Sequence, residues 1–238
     1  VGYVGVQVAG DRPLEVVMGG LARLEYRGYD SAGVALVTSG GLASAKRAGK
    51  LANLTALLEE APLPASTAGI GHTRWATHGA PNDLNAHPHL SEDGRVAVIH
   101  NGIIENFVAL RAELVAAGVR LTSETDTEVV AHLLGAAYDD LGNLTSAMRA
   151  VARRLHGTFT LLAVHADAPD VVVGTRHDSP LVVGLGEGEN FLGSDVAAFI
   201  AYTREAMELG QDEIVTITPS SVTVTDFEGN PVDARRFT

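Results

Sequence analysis

Short apolar or alternating runs, separated by Gly, Pro and Asp, fill the second half of the chain. These runs predict five strands, at 158–164, 171–173, 181–183, 214–218 and 222–225. Neighbouring strands joined by short turns pair antiparallel, because a parallel pair needs a crossover of a dozen or more residues. One short helix is predicted among these strands, over 194–202. The second half therefore favours antiparallel sheets over a parallel sheet with long crossovers.

The first half mixes the two periodicities. Valines at period two predict a strand from Val1 to Val8, and further strands are predicted at 31–38, at 42–47 after the Gly40-Gly41 turn, and at 96–99. Apolar residues at helical spacing predict four helices: Leu14 to Leu24 after Pro13, Ile103 to Leu114 with a stop near Gly118, Val129 to Ala137 after the cap-rich segment 123–126, and Leu144 to Leu155. Helices in the middle with strands at both ends predict an α+β layered sandwich.

Length and hydropathy favour one globular domain. The chain has 238 residues, of which 46% are apolar, enough to build a substantial core. We expect a single domain over 1–238, whose polar tail from about Asp226 forms an edge or the start of a linker. No run approaches 18 apolar residues, and the start lacks a basic region and a cleavage-like site, so neither a membrane span nor a signal peptide is expected.

Charge and cysteine content exclude several classes of function. The formal net charge is −12, which disfavours nucleic acid as a partner because polyanions bind clustered Lys and Arg. The chain has no cysteine, so it forms no disulfide and no thiolate metal site. No Gly-rich phosphate loop opens a helix. The composition is that of an acidic cytoplasmic domain.

Arg74 is the first candidate binding residue. It lies in the segment Gly71-His-Thr-Arg-Trp-Ala-Thr-His-Gly79. Its planar guanidinium matches a carboxylate through two parallel hydrogen bonds. For a single arginine, however, a structural salt bridge is the more common role.

Asn101-Gly102 and Asp126 are further candidates. Asn101-Gly102 follows the apolar strand, where a side-chain amide and a backbone N–H could converge on one oxyanion; the alternative is an ordinary Asn-Gly turn. Asp126 could accept a ligand ammonium or simply cap the following helix. His87 and His89 suggest a metal only weakly, because Pro88 separates them and no third ligand is near in sequence. No metal site is therefore predicted.

Taken together and in this order, these segments closely resemble one family. They are Leu24-Glu-Tyr-Arg-Gly-Tyr-Asp-Ser-Ala-Gly33, the segment around Arg74, Asn85-Ala-His-Pro-His89, His100-Asn-Gly-Ile-Ile-Glu-Asn106 and Ser123-Glu-Thr-Asp-Thr-Glu128. Over essentially its whole length the chain resembles the glutaminase domains of glutamine–fructose-6-phosphate aminotransferases, which are class II glutamine amidotransferases. The resemblance implies an N-terminal-nucleophile hydrolase: a four-layer αββα sandwich of two antiparallel sheets.

The resemblance also implies a mechanism and roles for particular residues. In the family the first mature residue is a catalytic cysteine, which opens a Cys-Gly-Ile-Val-Gly phrase. This chain begins Val1-Gly2, so the cysteine is expected three positions before Val1, outside the chain, which alone is expected to be inactive. The implied roles are these: Asn101 and Gly102 hold the oxyanion, Arg74 with Thr77 and His78 binds the substrate carboxylate, Asp126 binds its ammonium, Trp75 forms a wall or lid, and Arg27 supports the cysteine.

The implied partners are L-glutamine and, in the full-length enzyme, C-terminal sugar-isomerase domains that bind fructose 6-phosphate. No cofactor is implied, and the full-length enzyme is expected to be a homo-oligomer. Two alternatives remain: a catalytically silent glutamine-binding module, since the nucleophile is missing, and an amidotransferase domain that supplies ammonia to another acceptor.

Overall fold

Two antiparallel sheets lie face to face in the computed structural model, which describes residues 1–6 and 12–238. Strands are numbered in chain order. The first sheet contains eight described strands, in the spatial order Arg236–Phe237 (β14), Ala206–Glu208 (β11), Val182–Leu185 (β9), Glu189–Gly193 (β10), Gly2–Gly5 (β1), Ser66–Arg74 (β4), Ser31–Thr38 (β2) and Gly41–Ala48 (β3). The second contains six, in the order Val222–Asp226 (β13), Glu213–Ile217 (β12), Val172–His177 (β8), Gly157–His165 (β7), Val96–Ile104 (β6) and His89–Leu90 (β5).

Helices cover the outer face of each sheet. Arg12–Leu24 (α1) and Leu51–Glu60 (α2) pack on the first sheet. Phe107–Ala116 (α3), Asp126–Leu141 (α4) and Leu144–Ala152 (α5) lie on the side of the second sheet. The described part of the chain therefore forms the predicted αββα sandwich. None of its helices is long and apolar enough to cross a bilayer.

Three apolar layers hold the four structural layers together. Val17 and Leu21 of α1 are buried against the first sheet. Ile70 and Leu162 are buried between the two sheets. Leu134 of α4 belongs to the layer beneath the second sheet. Each fully buried side chain of this size stabilises the fold by about 1.5–3 kcal/mol. The alternating apolar residues on both sheets therefore favour the arrangement in which their apolar faces are covered, which is the four-layer sandwich.

Several predicted elements are confirmed at their predicted bounds or close to them. The predicted strand at 31–38 is β2, and the Gly40-Gly41 turn joins it to β3 in antiparallel register. Gly41 has φ +112°, a conformation that favours glycine. The first strand is shorter than predicted, ending at Gly5; Val8 lies outside the described residues. The spacing of apolar residues thus predicted strand bounds most accurately for β2, which is buried on both faces.

Two predictions of secondary structure need correction, and several elements were missed. Ile103 belongs to β6, where it pairs with Thr158, and the helix predicted to include it begins only at Phe107. The helix predicted over 194–202 is a single 3₁₀ turn, Val196–Ala198. Helix α2 and strands β4, β5, β10, β11 and β14 were not predicted. Strand β4 contains Gly69 and Gly71, which weakened its alternating pattern.

Gly33 allows the segment after β4 to pass close to the first sheet. A Cβ at this position would lie 2.0 Å from the carbonyl oxygen of His87 and 2.7 Å from Cβ of Lys46. No side chain fits at these distances, so glycine is required here. The close approach helps to place His87 beside His72, which pairs with Gly33 across β2 and β4.

Candidate functional site

A pocket of about 430 Å³ opens between the two sheets, where the ends of β1 and β4 meet β6. Polar groups from separate parts of the sequence line it. The predicted residues on its wall are Arg27, Arg74, Trp75, Thr77, Asn101, Gly102 and Asp126. His78 lies just behind this wall: its Nδ1 is 4.0 Å from Oδ2 of Asp126, and its ring meets the edge of Phe107. The structure therefore brings all eight predicted residues into one region.

Asn101 and Gly102 lie within β6 and do not form a hairpin turn. Oδ1 of Asn101 accepts a hydrogen bond from Nε2 of His72 at 2.8 Å, and its Nδ2 donates to Oγ of Ser194 at 2.7 Å. Gly102 has φ +128°, and a Cβ there would lie 1.9 Å from the carbonyl oxygen of Thr158. Only glycine fits this backbone. The turn alternative is wrong, and an amide side chain and an exposed glycine line the pocket side by side.

Asp126 is a buried carboxylate in the first turn of α4, with 3% of its surface exposed. Its Oδ2 accepts a hydrogen bond from the Ile104 N–H at 2.8 Å. Nδ1 of His100 lies 3.8 Å from its Oδ1. The capping residue of α4 is Thr125, whose side chain accepts from the Glu128 N–H, so the interpretation of Asp126 as the helix cap is wrong.

The charge of Asp126 is stabilised despite its burial. Burial alone would raise the pKa of this carboxyl group, but the neighbouring His100, the Ile104 N–H and His78 outweigh it and lower the pKa from 3.8 to about 2. The group is therefore an anion at neutral pH. A buried carboxylate beside a pocket is well suited to accept a cationic ligand group.

Arg74 is buried, with 3% of its surface exposed, and its guanidinium holds the segment that follows it. It donates hydrogen bonds to the carbonyl oxygens of His78, Gly79 (3.2 Å) and Ala80 (3.4 Å). Among the described residues no carboxylate lies within salt-bridge distance of Arg74, so the salt bridge considered from the sequence is not observed. Burial lowers its pKa from the ordinary value, and Asp30 and Asp126 oppose that shift. Its positive charge lines the pocket without a directly paired anion.

Aromatic and polar side chains surround the pocket mouth. Trp75 is 62% exposed and meets the ring of Tyr29 edge-on, with 5.4 Å between the ring centroids. The backbone N–H of Ala76 donates to the carboxylate of Asp30, which fixes the segment beside Trp75. Thr77 and Arg27 are exposed. These residues form a rim around the more buried Asn101 and Asp126.

Val1 also lines this pocket, which the sequence reasoning did not foresee. The Val1 nitrogen donates to the carbonyl oxygen of Gly71 at 2.9 Å, and the Gly71 N–H donates to the Val1 carbonyl at 2.8 Å. The Val1 side chain carries no nucleophilic atom.

The sequence reasoning also missed His72 and Ser194, although His72 stands in the segment that drew attention to Arg74. The ring of His72 stacks on His87 with centroids 4.3 Å apart, and His87 meets His89 edge-on at 5.2 Å. Burial lowers the pKa of His72 and of His89 to about 3, so these rings are neutral. Within residues 1–6 and 12–238, no three side chains of His, Cys, Asp or Glu lie close enough together to hold a metal ion.

The class of protein follows from comparison with known families. Residues 59–228 match the model of the glutamine amidotransferase domain, and the chain belongs to this family. It is 67% identical over 237 residues to the glutamine–fructose-6-phosphate aminotransferase [isomerizing] of Streptomyces coelicolor, and 63% identical over 238 residues to that of Leifsonia xyli. All of the chain aligns with each relative, but it spans only 38% of their length.

A solved structure confirms the predicted fold class. The chain is similar to the glutamine phosphoribosylpyrophosphate amidotransferase from B. subtilis complexed with ADP and GMP, with a TM-score of 0.78 and 23% identity. The match covers 97% of this chain and 50% of that one. At this identity the likeness concerns the fold alone, which is the predicted sandwich of two antiparallel sheets between helical layers.

The lowered pKa of Asp126 leads to an expectation for acid stability. A carboxyl group whose pKa is lower in the folded state adds stability above its unfolded pKa, and that stability is lost as the pH falls through the folded pKa. A shift from 3.8 to about 2 corresponds to roughly 2 kcal/mol, lost between about pH 4 and pH 2. Asp126→Asn should reduce this pH dependence of the free energy of unfolding, measured by urea titration at pH 2 to 7. Asp140→Asn, an exposed aspartate on the same helix, is the matched control. Equal slopes in both variants would contradict the assignment.

Proposed function

We propose that this domain cleaves the side-chain amide of L-glutamine once a terminal cysteine is present. The observation that carries the proposal is the convergence of Asn101, Gly102, Arg74 and Asp126 on one pocket. L-glutamine has an α-carboxylate, an α-ammonium and a carboxamide, which match the cation Arg74, the anion Asp126 and the donors Asn101 and Gly102. Membership of the glutamine amidotransferase domain family supports the same choice of substrate.

The proposed chemistry is nucleophilic acyl transfer. The free amino group of the terminal cysteine takes the thiol proton, and the thiolate forms a bond to the carboxamide carbon of glutamine. Hydrogen bonds from Asn101 Nδ2 and the Gly102 N–H stabilise the resulting oxyanion. The C–N bond then breaks, ammonia leaves with the transferred proton, and water cleaves the thioester to give glutamate. Thr77 and His78 assist Arg74 at the α-carboxylate, Trp75 covers the pocket, and Arg27 supports the cysteine.

Two positions for the cysteine can be tested against each other. The family phrase Cys-Gly-Ile-Val-Gly places it three residues before Val1, whereas the geometry places Val1 itself in the pocket beside Asn101.

We expect this chain, with Val1 at its start, to bind glutamine weakly and release no ammonia, since it has the binding groups but no nucleophile. Two cysteine-bearing forms should be compared: Val1→Cys with a free amine, and the chain extended by Cys-Gly-Ile before Val1. Ammonia release, measured by a coupled assay, should appear in the form whose thiol reaches Asn101. Val1→Ala, whose side chain carries no nucleophilic atom, is the control. Turnover by the unmodified chain, or none in either cysteine form, would contradict the mechanism.

Asp126→Asn tests whether the buried carboxylate binds the substrate ammonium. The substitution preserves shape and removes the charge. A charge-assisted hydrogen bond contributes about 1.5–3 kcal/mol, so glutamine affinity should fall about 10- to 150-fold. Isothermal titration calorimetry of glutamine into both proteins provides the measurement, and Asp140→Asn again controls for the loss of one negative charge. Unchanged affinity in Asp126→Asn would remove this residue from the binding site.

We further propose that the ammonia is used to convert fructose 6-phosphate to glucosamine 6-phosphate by a longer protein. The curated relatives carry that name, and this chain covers 38% of their length. The sugar site is then expected in sugar-isomerase domains joined through the polar segment after Asp226. The net charge of −12 disfavours a phosphate site in this domain.

Fructose 6-phosphate should therefore neither bind to this chain nor change the glutaminase rate of its cysteine-bearing form. NMR chemical shifts recorded during a titration, together with the coupled ammonia assay, check both points, and glutamine serves as the positive control. Chemical-shift changes that cluster on one part of the surface when fructose 6-phosphate is added would indicate a sugar site within this chain. Glutamine hydrolysis and sugar binding would then not be divided between domains as proposed.

A further inference from the structure

One chain of hydrogen bonds joins the two sheets at the pocket. It runs from Nε2 of His72 on β4 to Oδ1 of Asn101 on β6, at 2.8 Å, and from Nδ2 of Asn101 to Oγ of Ser194, at 2.7 Å. His72 and Ser194 both line the pocket beside Asn101. The oxyanion role proposed for Asn101 needs its amide nitrogen at the pocket, so the orientation of this amide matters.

The two partners constrain the amide differently. A hydroxyl such as that of Ser194 can donate or accept a hydrogen bond, so it can pair with either the oxygen or the NH₂ group of an amide. A neutral imidazole nitrogen that carries a proton can only donate. When Nε2 of His72 carries the proton, Oδ1 of Asn101 must face it and the NH₂ group must face Ser194. The opposite tautomer would turn the amide oxygen toward the pocket, where it would repel an oxyanion.

His72 is held firmly enough to impose this choice. It has 7% of its surface exposed and lies within β4, paired with Gly33 of β2. Its ring stacks on His87 with an interplanar angle of 21°. Burial lowers its pKa to about 3, which keeps the ring neutral and with a single N–H. A neutral, stacked ring therefore faces the amide oxygen.

We propose that His72 is a positioning residue for the amide hydrolysis: its Nε2–H fixes the Asn101 side chain so that one amide hydrogen reaches Ser194 and the other remains free for the oxyanion. This inference rests on the proposed function of the pocket. It assigns to this histidine a task that it performs through Asn101. Ser194 completes the arrangement as the acceptor for the first amide hydrogen.

NMR on this chain tests the hydrogen bond without any need for activity. In the ¹⁵N-labelled protein, two-bond correlation spectra should show His72 as the Nε2–H tautomer throughout pH 5 to 8. The side-chain NH₂ signals of Asn101 should shift on His72→Leu and remain close to their original positions on His72→Gln, which keeps an N–H donor. An Nδ1–H tautomer, or NH₂ signals unmoved by His72→Leu, would overturn the proposal.

Kinetics on the cysteine-bearing protein test the consequence for the reaction. His72→Leu should lower kcat about 10- to 100-fold with little change in KM, less than the roughly 10²–10³-fold loss typical when an oxyanion donor is removed. His72→Gln should recover most of the rate. His165→Leu removes another buried imidazole, one that stacks on Tyr138 away from the pocket, and is the matched control for general damage to the core.

A double-mutant cycle separates positioning from a merely structural role. In an Asn101→Ala background, His72→Leu should lower kcat by less than about twofold more, because the amide that His72 positions is already gone. Losses that multiply, or a raised KM with normal kcat, would overturn the proposal. Absence of glutaminase activity in every cysteine-bearing form would instead defeat the proposed function, while the NMR result would still decide on the His72 hydrogen bond.

Discussion

The apolar layer between the two sheets is the constraint on which the site depends. Ile70 on β4 and Ile99 on β6 are buried in this layer, and the residues that follow them lead to the pocket. Two and four residues after Ile70 come His72 and Arg74, and two residues after Ile99 comes Asn101. Sheets that pack about 10 Å apart bring such positions within reach of each other. A shift in register of either strand would separate them.

Burying the polar groups at the pocket costs free energy, and the fold offsets this cost differently for each group. Asp126 receives a backbone N–H and has two histidines near it, which keeps it ionised. Arg74 is compensated by neutral carbonyl oxygens, so its charge is solvated but not cancelled. His72 and His89 are neutral instead, because burial lowers the pKa of each ring. The result is one buried anion, Asp126, and one buried cation, Arg74, at the same pocket that do not pair with each other, an arrangement that suits a zwitterion.

Much of the fold was predictable because burial leaves a clear period in the sequence. The strand at 31–38 was found at its bounds, since it is buried along nearly its whole length and flanked by turn residues. The strand that carries Arg74 was missed because it contains glycines, and the extension of β6 through Ile103 was missed because its outer residues are exposed. A strand whose own side chains are buried shows a regular pattern of apolar residues in the sequence. A strand that is formed mainly by pairing with neighbouring strands shows no such pattern.

The site was predictable in part for a different reason. Arg74, Asn101 and Asp126 were chosen by chemical type, and those choices came together in one pocket. The alternatives for Asn101-Gly102 and Asp126 could be rejected only with the structure, because an Asn-Gly pair can occur in a turn or in a strand, and the cap Thr125 is the immediate neighbour of Asp126. His72 was not chosen at all, since its task depends on a hydrogen bond to another sheet, 29 residues away in sequence.

The three carbonyl contacts of Arg74 have a consequence for the motion of the segment they hold. This guanidinium donates to the carbonyl oxygens of residues 78–80, and it also lines the pocket, where we propose that it binds an anion. A bound anion and the segment therefore draw on the same donors. By thermodynamic reciprocity, a ligand that weakens these contacts loosens the segment, and whatever displaces the segment changes the affinity for the anion by the same factor.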